Sequence, residues 1–272
     1  MRVAVVGHVE WVDFALVDHV PRAGEIVNGH DPWAEPAGGG AVAAVQLARL
    51  AGSASFFTAL GDDDLGERSR TRLAELGVAL HAARRSEMTR RAFTFLDASG
   101  ERTITTLGRR LQPRGKDALP WAALAEADAV YFTAGDAEAA RYARAARVLV
   151  VTPRAAGALE AVSADAIVYS AGDDAERDAA AALLGEARLV VATEGTTGGS
   201  WHSASGLSGR WEPAPAPGPL IDQYGAGDCF AAGLTFALAA GRSTADAIAL
   251  AARCGAWCAS GRGPYEGQLR KA

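Results

Sequence analysis

The densest chemistry in the chain lies in Asp222-Gln223-Tyr224-Gly225-Ala226-Gly227-Asp228-Cys229-Phe230-Ala231-Ala232-Gly233, which follows a Pro-rich stretch and opens a long helical pattern. Gly-Ala-Gly at a helix start leaves backbone N–H groups without partners and aims them at an anion. The glycines let the backbone come close, and the helix macrodipole adds partial positive charge. A carboxylate directly after such a nest is costly unless it works. Asp228 stands where it can take a proton from an attacking hydroxyl. Phosphoryl transfer needs little more than that, beyond in-line positioning and neutralisation of the moving charge. The competing interpretation of a bare Gly-x-Gly-Asp is a helix whose glycines serve close packing.

The framework that must hold these residues is α/β. Arg2–Val6 is a short apolar β-branched run and predicts a buried strand. Val12–Val20 and Glu25–Trp33, separated by Pro21-Arg22-Ala23-Gly24, predict a hairpin with one face not deeply buried. Gly38-Gly39-Gly40 leads into a helix over Ala41–Leu50, followed by a strand at Ser55–Leu60 and a helix at Leu65–Leu76. Thr89–Asp97 and Glu101–Leu107 predict a second hairpin around Ala98-Ser99-Gly100. Strands at Ala129–Thr133, Val148–Thr152, Ala166–Ser170 and Leu189–Thr193 then alternate with Ala-rich helices, the pattern of a parallel sheet covered on both faces. Ser200–Trp211 predicts a further hairpin and Glu212–Pro219 an extended connector. Helices over Gly225–Ala240 and Thr244–Ser260 close the fold, with Gly241 as C-cap and Ser243 as the next N-cap.

Composition narrows the function classes. The 272 residues suit one large domain, and 49% hydrophobic with 22% charged residues is ordinary for a globular protein. A net charge of −5 gives no broad basic field for nucleic acid or an anionic membrane. The opening apolar run is too short for a signal peptide, and no stretch nears the ~20 apolar residues of a membrane span. The expected address is therefore the cytosol, and the expected partner a small molecule. Cys229, Cys254 and Cys258 make no disulfide framework; Cys254 and Cys258 share a helical face at i, i+4, but no His/Cys pair accompanies them, so the three are expected as core thiols. No Walker-type phosphate loop occurs, and Gly7-His8-Val9-Glu10-Trp11-Val12 lacks the glycines a dinucleotide needs.

Asp-x-x-Gly-Ala-Gly-Asp-x-Phe-x-Ala-Gly resembles the C-terminal signature of ribokinase-like (PfkB) carbohydrate kinases. Gly39-Gly40-Ala41 before a helix, Gly61-Asp62-Asp63-Asp64-Leu65-Gly66, Thr193-Glu194-Gly195-Thr196-Thr197-Gly198 and Gly261-Arg262-Gly263-Pro264 are similar to other family segments, in the family's order. The likeness covers essentially the whole chain. It implies one ribokinase-like domain over 1–272: a three-layer α/β fold with a mostly parallel central sheet flanked by helices. A small β-sheet lid would come from the hairpins near 12–33 and 89–107. It also implies an ATP-dependent phosphotransferase acting on an alcohol group of a sugar or sugar-like molecule. Lid sheets of such kinases often pair between subunits, so a homodimer through the lid is among the expectations.

The resemblance assigns roles residue by residue. Asp228 is the base, and Gly225, Ala226 and Gly227 hold the transferring phosphoryl group. Thr193, Gly195 and Gly198 border the nucleotide, and Gly263 lies near the adenine. ATP brings Mg²⁺, and Asp173-Asp174-Ala175-Glu176 is the closest match to the family's Asn-x-x-Glu beside the metal's water shell. Asp173 and Glu176 are thus metal candidates, and Asp222 is the candidate for a monovalent cation, K⁺. Glu10 and Asp13, Gly39 and Gly40, and Arg109 beside Arg110 are the substrate candidates. The two arginines suit a phosphate or carboxylate on the acceptor, or are surface residues at a strand end.

Val42 stands where many relatives carry an Asn that bonds a substrate hydroxyl, Asp173 replaces the Asn of the metal motif, and Tyr224 replaces a common Thr. A nucleoside kinase is the alternative within the fold, with Trp11, Trp33 or Phe95 stacking on a base. A small-molecule sensor without catalysis is the alternative of another class, and the intact Gly-Ala-Gly-Asp speaks against it.

Overall fold

The computed structural model describes residues 1–160, 162–183, 185 and 187–270. Nine strands form the main sheet in the order β13-β12-β11-β10-β9-β8-β1-β4-β5. They are β1 (Val3–Val6), β4 (Ala54–Gly61), β5 (Val78–Arg85), β8 (Ala129–Phe132), β9 (Leu149–Val151), β10 (Ala164–Ser170), β11 (Ala187–Thr193), β12 (Gly199–Ser203) and β13 (Ser208–Trp211). The pairings from β5 through to β11 are parallel, and the β12–β13 hairpin adds antiparallel to one edge.

Alternation along the central strands feeds two cores. Val3, Val5, Phe56, Tyr131 and Val150 point to one face, and Ala4, Val6, Phe57, Phe132 and Val151 to the other. The first face is covered by α1 (Gly39–Ala51), α5 (Ala226–Ala239) and α6 (Thr244–Cys258). Small residues let these helices approach closely. A Cβ on Gly233 would lie 2.8 Å from Cys254 Sγ and 2.9 Å from Ala251 Cα. All three cysteines are buried free thiols in this packing. The other face holds α3 (Ala137–Arg144) and short 3₁₀ turns at Trp121–Glu126 and Pro153–Ala158, so the helical cover is thinner there than the sequence predicts. Two more helices, α2 (Asp64–Glu75) and α4 (Asp174–Leu183), complete the layers.

The hairpins expected to form a lid make a small separate sheet in the order β3-β2-β6-β7, from β2 (Glu10–Leu16), β3 (His30–Ala37), β6 (Arg91–Leu96) and β7 (Arg102–Leu107). Both predicted hairpins exist, but the first has shifted strands. Pro32 and Pro36 cannot donate to a ladder, and β3 accordingly takes the sheet edge. β2 runs inside the lid, parallel to β6, and is mostly buried rather than half-open. Phe14 packs edge-on to Tyr224 at 5.0 Å and stacks on Trp33 at 4.8 Å. The turn of the second hairpin folds onto the segment before α5, where Gln223 N donates to Gly100 O. Strand β5, half-exposed at the sheet edge, is an addition to the sequence-based expectation. Among the described residues, no helix is long and apolar enough to cross a membrane.

Candidate active site

The order of the main sheet reverses between β1 and β8, and the carboxyl ends of the parallel strands share one edge. In open α/β sheets, ligands bind in the crevice at such a reversal. Gly7-His8 follows β1, Thr133 follows β8, Arg154 follows β9, Asp173 and Glu176 follow β10, and Gly195 follows β11. The start of α5 lies over the β1/β8 crevice.

Gly225 precedes α5 at φ +80°, and a Cβ there would also lie 2.8 Å from Val42 Cγ1, so both backbone and space require glycine. No side chain caps this helix. Ala226 N donates to Gln223 O and Cys229 N to Gly225 O, while the N–H groups of Gly227 and Asp228 have no protein acceptor among the described residues. These are the free donors an anion would meet. Asp222 braces the loop from behind: its buried carboxylate accepts from Tyr224 N and from Gly263 N, each at 2.8 Å. Tyr224 Oη accepts from Gly38 N at 3.3 Å, which ties this loop to the start of α1.

The Asp228 side chain reaches across to that start. A Cβ on Gly39 would sit 2.8 Å from Asp228 Oδ1 and 3.3 Å from Thr133 Oγ1, so glycine makes room for the carboxylate. A Cβ on Gly40 would collide with His8 O at 2.7 Å. Asp228 stays partly open to the cleft, yet the protein around it pushes its pKa up to about 6. Loss of hydration is the main cause. The charge of Arg154 opposes it, and the like charge of Glu176 adds to it. Glu176 is buried, paired with Arg154, and accepts from Ser170 N at 2.8 Å. Asp173 begins the same helical turn, accepts from Glu176 N at 3.1 Å and meets Arg154 at 3.3 Å.

Two unlike environments flank Asp228. One is a largely apolar cavity of about 250 Å³, bounded by Thr193, Gly195, Gly198, Gly227, Phe230 and Ala256. Trp211 stacks on Phe230 at 5.6 Å along its wall. Its size and its junction with Gly227 suit a purine base whose phosphates run toward the α5 N-terminus. The other is a polar cluster beside the small sheet, where buried Glu10 pairs with Arg90 at 2.9 Å and His8 Nε2 is 3.7 Å from Glu10. Burial raises the Glu10 pKa against the pull of Arg90, Arg110 and Arg154. It pushes His8 down to about 3, with the same arginines adding to the effect.

A family model for pfkB family carbohydrate kinases matches residues 1–149 and 142–271. The chain belongs to the pfkB family of carbohydrate kinases. This pfkB kinase is 28% identical to an ATP-dependent ribose-1-phosphate kinase of Halopiger xanaduensis, over 97% of the chain and 93% of that protein. It is also 28% identical to a fructokinase of Klebsiella pneumoniae, over 87% of the chain and 91% of that protein. The fold matches that of Arabidopsis thaliana ribokinase complexed with ribose and ATP at a TM-score of 0.77 and 20% identity, covering 99% of this chain and 96% of that one. The pfkB kinase is thus a phosphotransferase of the sugar-kinase type with the ribokinase-like fold.

The pfkB kinase brings most of the sequence-predicted residues together and sets some apart. Gly225, Ala226, Gly227, Asp228, Gly39 and Gly40 meet at one point, and Thr193, Gly195 and Gly198 border the apolar cavity. Gly263 clamps Asp222 and packs by Trp33 instead of bounding that cavity. Glu10 belongs to the polar cluster, but Asp13, three residues along β2, falls on the opposite face and pairs with Arg91 at 2.9 Å. Arg109 is exposed, and its neighbour Arg110 is the half-buried one that feels Glu10. One face of Trp11 is covered by Arg68, and Trp33 lies between Phe14 and Arg262, so neither presents a bare ring to a base. Sequence reasoning missed His8, Arg90 and Arg154. The last follows β9, and its place at a strand's carboxyl end was the available signal.

Proposed function

We propose that this pfkB kinase moves the γ-phosphoryl group of ATP to a hydroxyl of a sugar, with Asp228 as general base. One observation carries the proposal: Asp228 stands between the apolar cavity and the polar cluster around Glu10, beside two backbone N–H groups that lack acceptors among the described residues. With a pKa near 6 it is ionised at neutral pH yet basic enough to accept a proton. Asp228 would take the acceptor's hydroxyl proton as the oxygen attacks phosphorus. The Gly227 and Asp228 N–H groups, at the positive end of α5, would stabilise the charge on the moving phosphoryl group. Glu10 is placed to accept from another acceptor hydroxyl. The relatives' names, a ribose-1-phosphate kinase and a fructokinase, fit a sugar as acceptor.

Mg²⁺ bound with the nucleotide would supply further charge neutralisation, keeping most of its waters. Among the described residues no group of three His, Cys, Asp or Glu forms a cage for a metal. Glu176 and Asp173, already engaged with Arg154, suit hydrogen bonds to the ion's waters. A K⁺ ion beside Asp222 would act on the phosphate loop it braces, and activity with and without K⁺ tests that role. A homodimer through the lid belongs to the same proposal. Phe93 and Phe95 share the lid face turned away from Glu10 and are half-buried, an apolar surface that a second copy would cover.

The test is Asp228→Asn. Sugar-dependent ADP release should fall by at least about 10³-fold while ATP affinity is kept. Retention of a tenth of the turnover would remove Asp228 from the mechanism.

A further inference from the structure

The acceptor side of the cleft holds guanidinium donors that no group among the described residues takes up. Glu10 is the carboxylate at the foot of β2, and Arg90 binds it at 2.9 Å. Arg110 lies close enough to feel the charges of Glu10, Arg90 and Arg154, and among the described residues it has no ion pair or hydrogen bond of its own. Arg154 is matched separately by Glu176 and Asp173. Two guanidinium groups therefore sit by Glu10, which pairs with Arg90 alone; Glu176, Asp173 and Asp228 gather around Arg154, so what the cluster leaves over is the unpaired guanidinium of Arg110 and not a net charge. His8 contributes no charge, since burial and the arginines hold it neutral. The Nε of Arg90 is buried and finds no acceptor among the described residues.

Chain geometry shows how the arginines arrive. Arg90 immediately precedes β6, and its carbonyl accepts from Trp11 N at 2.9 Å. Arg110 follows β7. They stand at the two feet of one lid hairpin, whose turn is docked on the segment before α5. The hairpin that covers the cleft thus also delivers the pair. On the neighbouring wall, buried Val42 packs on Gly225 and offers no polar group.

We infer that the acceptor of this kinase already carries a phosphate monoester, held by Arg90 and Arg110 under the lid. This rests on the kinase proposal above and adds the substrate class. A neutral sugar would leave a guanidinium desolvated without a counter-charge, which is costly. A phosphate monoester brings up to two negative charges and three oxygens, and guanidinium forks match them two at a time. Glu10 remains to accept from a sugar hydroxyl and rejects an anion placed on its own side.

The experiment compares free pentoses and hexoses, their phosphate monoesters and the matching sugar acids as acceptors for ATP-dependent ADP release by the full chain. The best ester should exceed its free sugar in kcat/KM by about 10- to 100-fold, the value of one or two charged hydrogen bonds. Arg110→Met should erase that margin while leaving the KM for ATP within about 2-fold, and Arg110→Lys should restore part of it. Calorimetry on the wild-type enzyme without nucleotide gives a second readout that needs no variant to fold. The ester should bind about 10- to 100-fold more tightly than the free sugar. Preference for a free sugar or a sugar acid, or equal binding of ester and free sugar, overturns this inference and leaves the role of Asp228 standing. If no sugar of any class raises ADP release, both proposals fall.

Discussion

Asp228→Asn, which should lower turnover by about 10³-fold or more, should also stabilise the fold, by an amount that depends on pH in a defined direction. The carboxyl rises from the ordinary 3.8 to about 6 in the folded chain, chiefly because burial strips its water. At about 1.4 kcal/mol per pH unit, the ionised group costs the folded state on the order of 3 kcal/mol at pH 8. The sign follows from proton counting. Between about pH 4 and 6 the folded chain keeps this proton and the unfolded chain has released it, so stability falls as pH rises through that window. Asparagine carries no proton to lose and escapes the fall. Urea unfolding of both proteins should give nearly equal stability near pH 4. The variant should gain steadily from about pH 4 to pH 6, then hold a constant advantage of roughly 2–3 kcal/mol above about pH 7. In thermal melts at pH 8 that is roughly 4–12 °C. A variant less stable than wild type at pH 8, or a difference that does not change with pH, would refute the assignment of a desolvated carboxylate at this point.

Gly39→Ala places a Cβ 2.8 Å from Asp228 Oδ1, so the carboxylate must shift. Steady-state kinetics should show kcat lowered by about 10- to 100-fold with little change in melting temperature, as expected for a misplaced base. Glu176→Gln removes a like charge near Asp228 and releases Arg154 from its ion pair. Both effects lower the Asp228 pKa, so the acid side of the pH–rate profile should move to lower pH in that variant.

What the sequence disclosed was what is contiguous in it. A helix start, its glycines and its carboxylate occupy Gly225–Asp228 without a break, so the proposed anion cradle and base form one contiguous pattern in the sequence. The parallel sheet was likewise legible from β-branched runs such as Val3–Val6, whose alternate residues feed the two cores. Residues brought in by long-range topology were not legible. Arg90 and Arg110 meet Glu10 only because the lid hairpin folds back, and Arg154 only because β9 ends beside the crevice. Parity decided two further cases. Glu10 and Asp13 sit three apart, which on a strand means opposite faces, and Arg109 and Arg110 differ by one. The position of β3 turned on Pro32 and Pro36, which exclude it from the interior of the lid. Gly263 matched a family turn, yet its N–H bonds Asp222, a partner 41 positions away that local pattern does not reveal.

The account's central claim is that one aspartate, made basic by burial, removes the acceptor's proton. The most direct measurement is kcat/KM against pH from 4.5 to 8.5 for the wild-type enzyme and for Asp228→Asn with the same acceptor. The wild-type profile should rise with unit slope and level off near pH 6, and the residual rate of the variant should lack that rise. A wild-type rate that is flat through pH 6, or the same acid limb in both proteins, would contradict it.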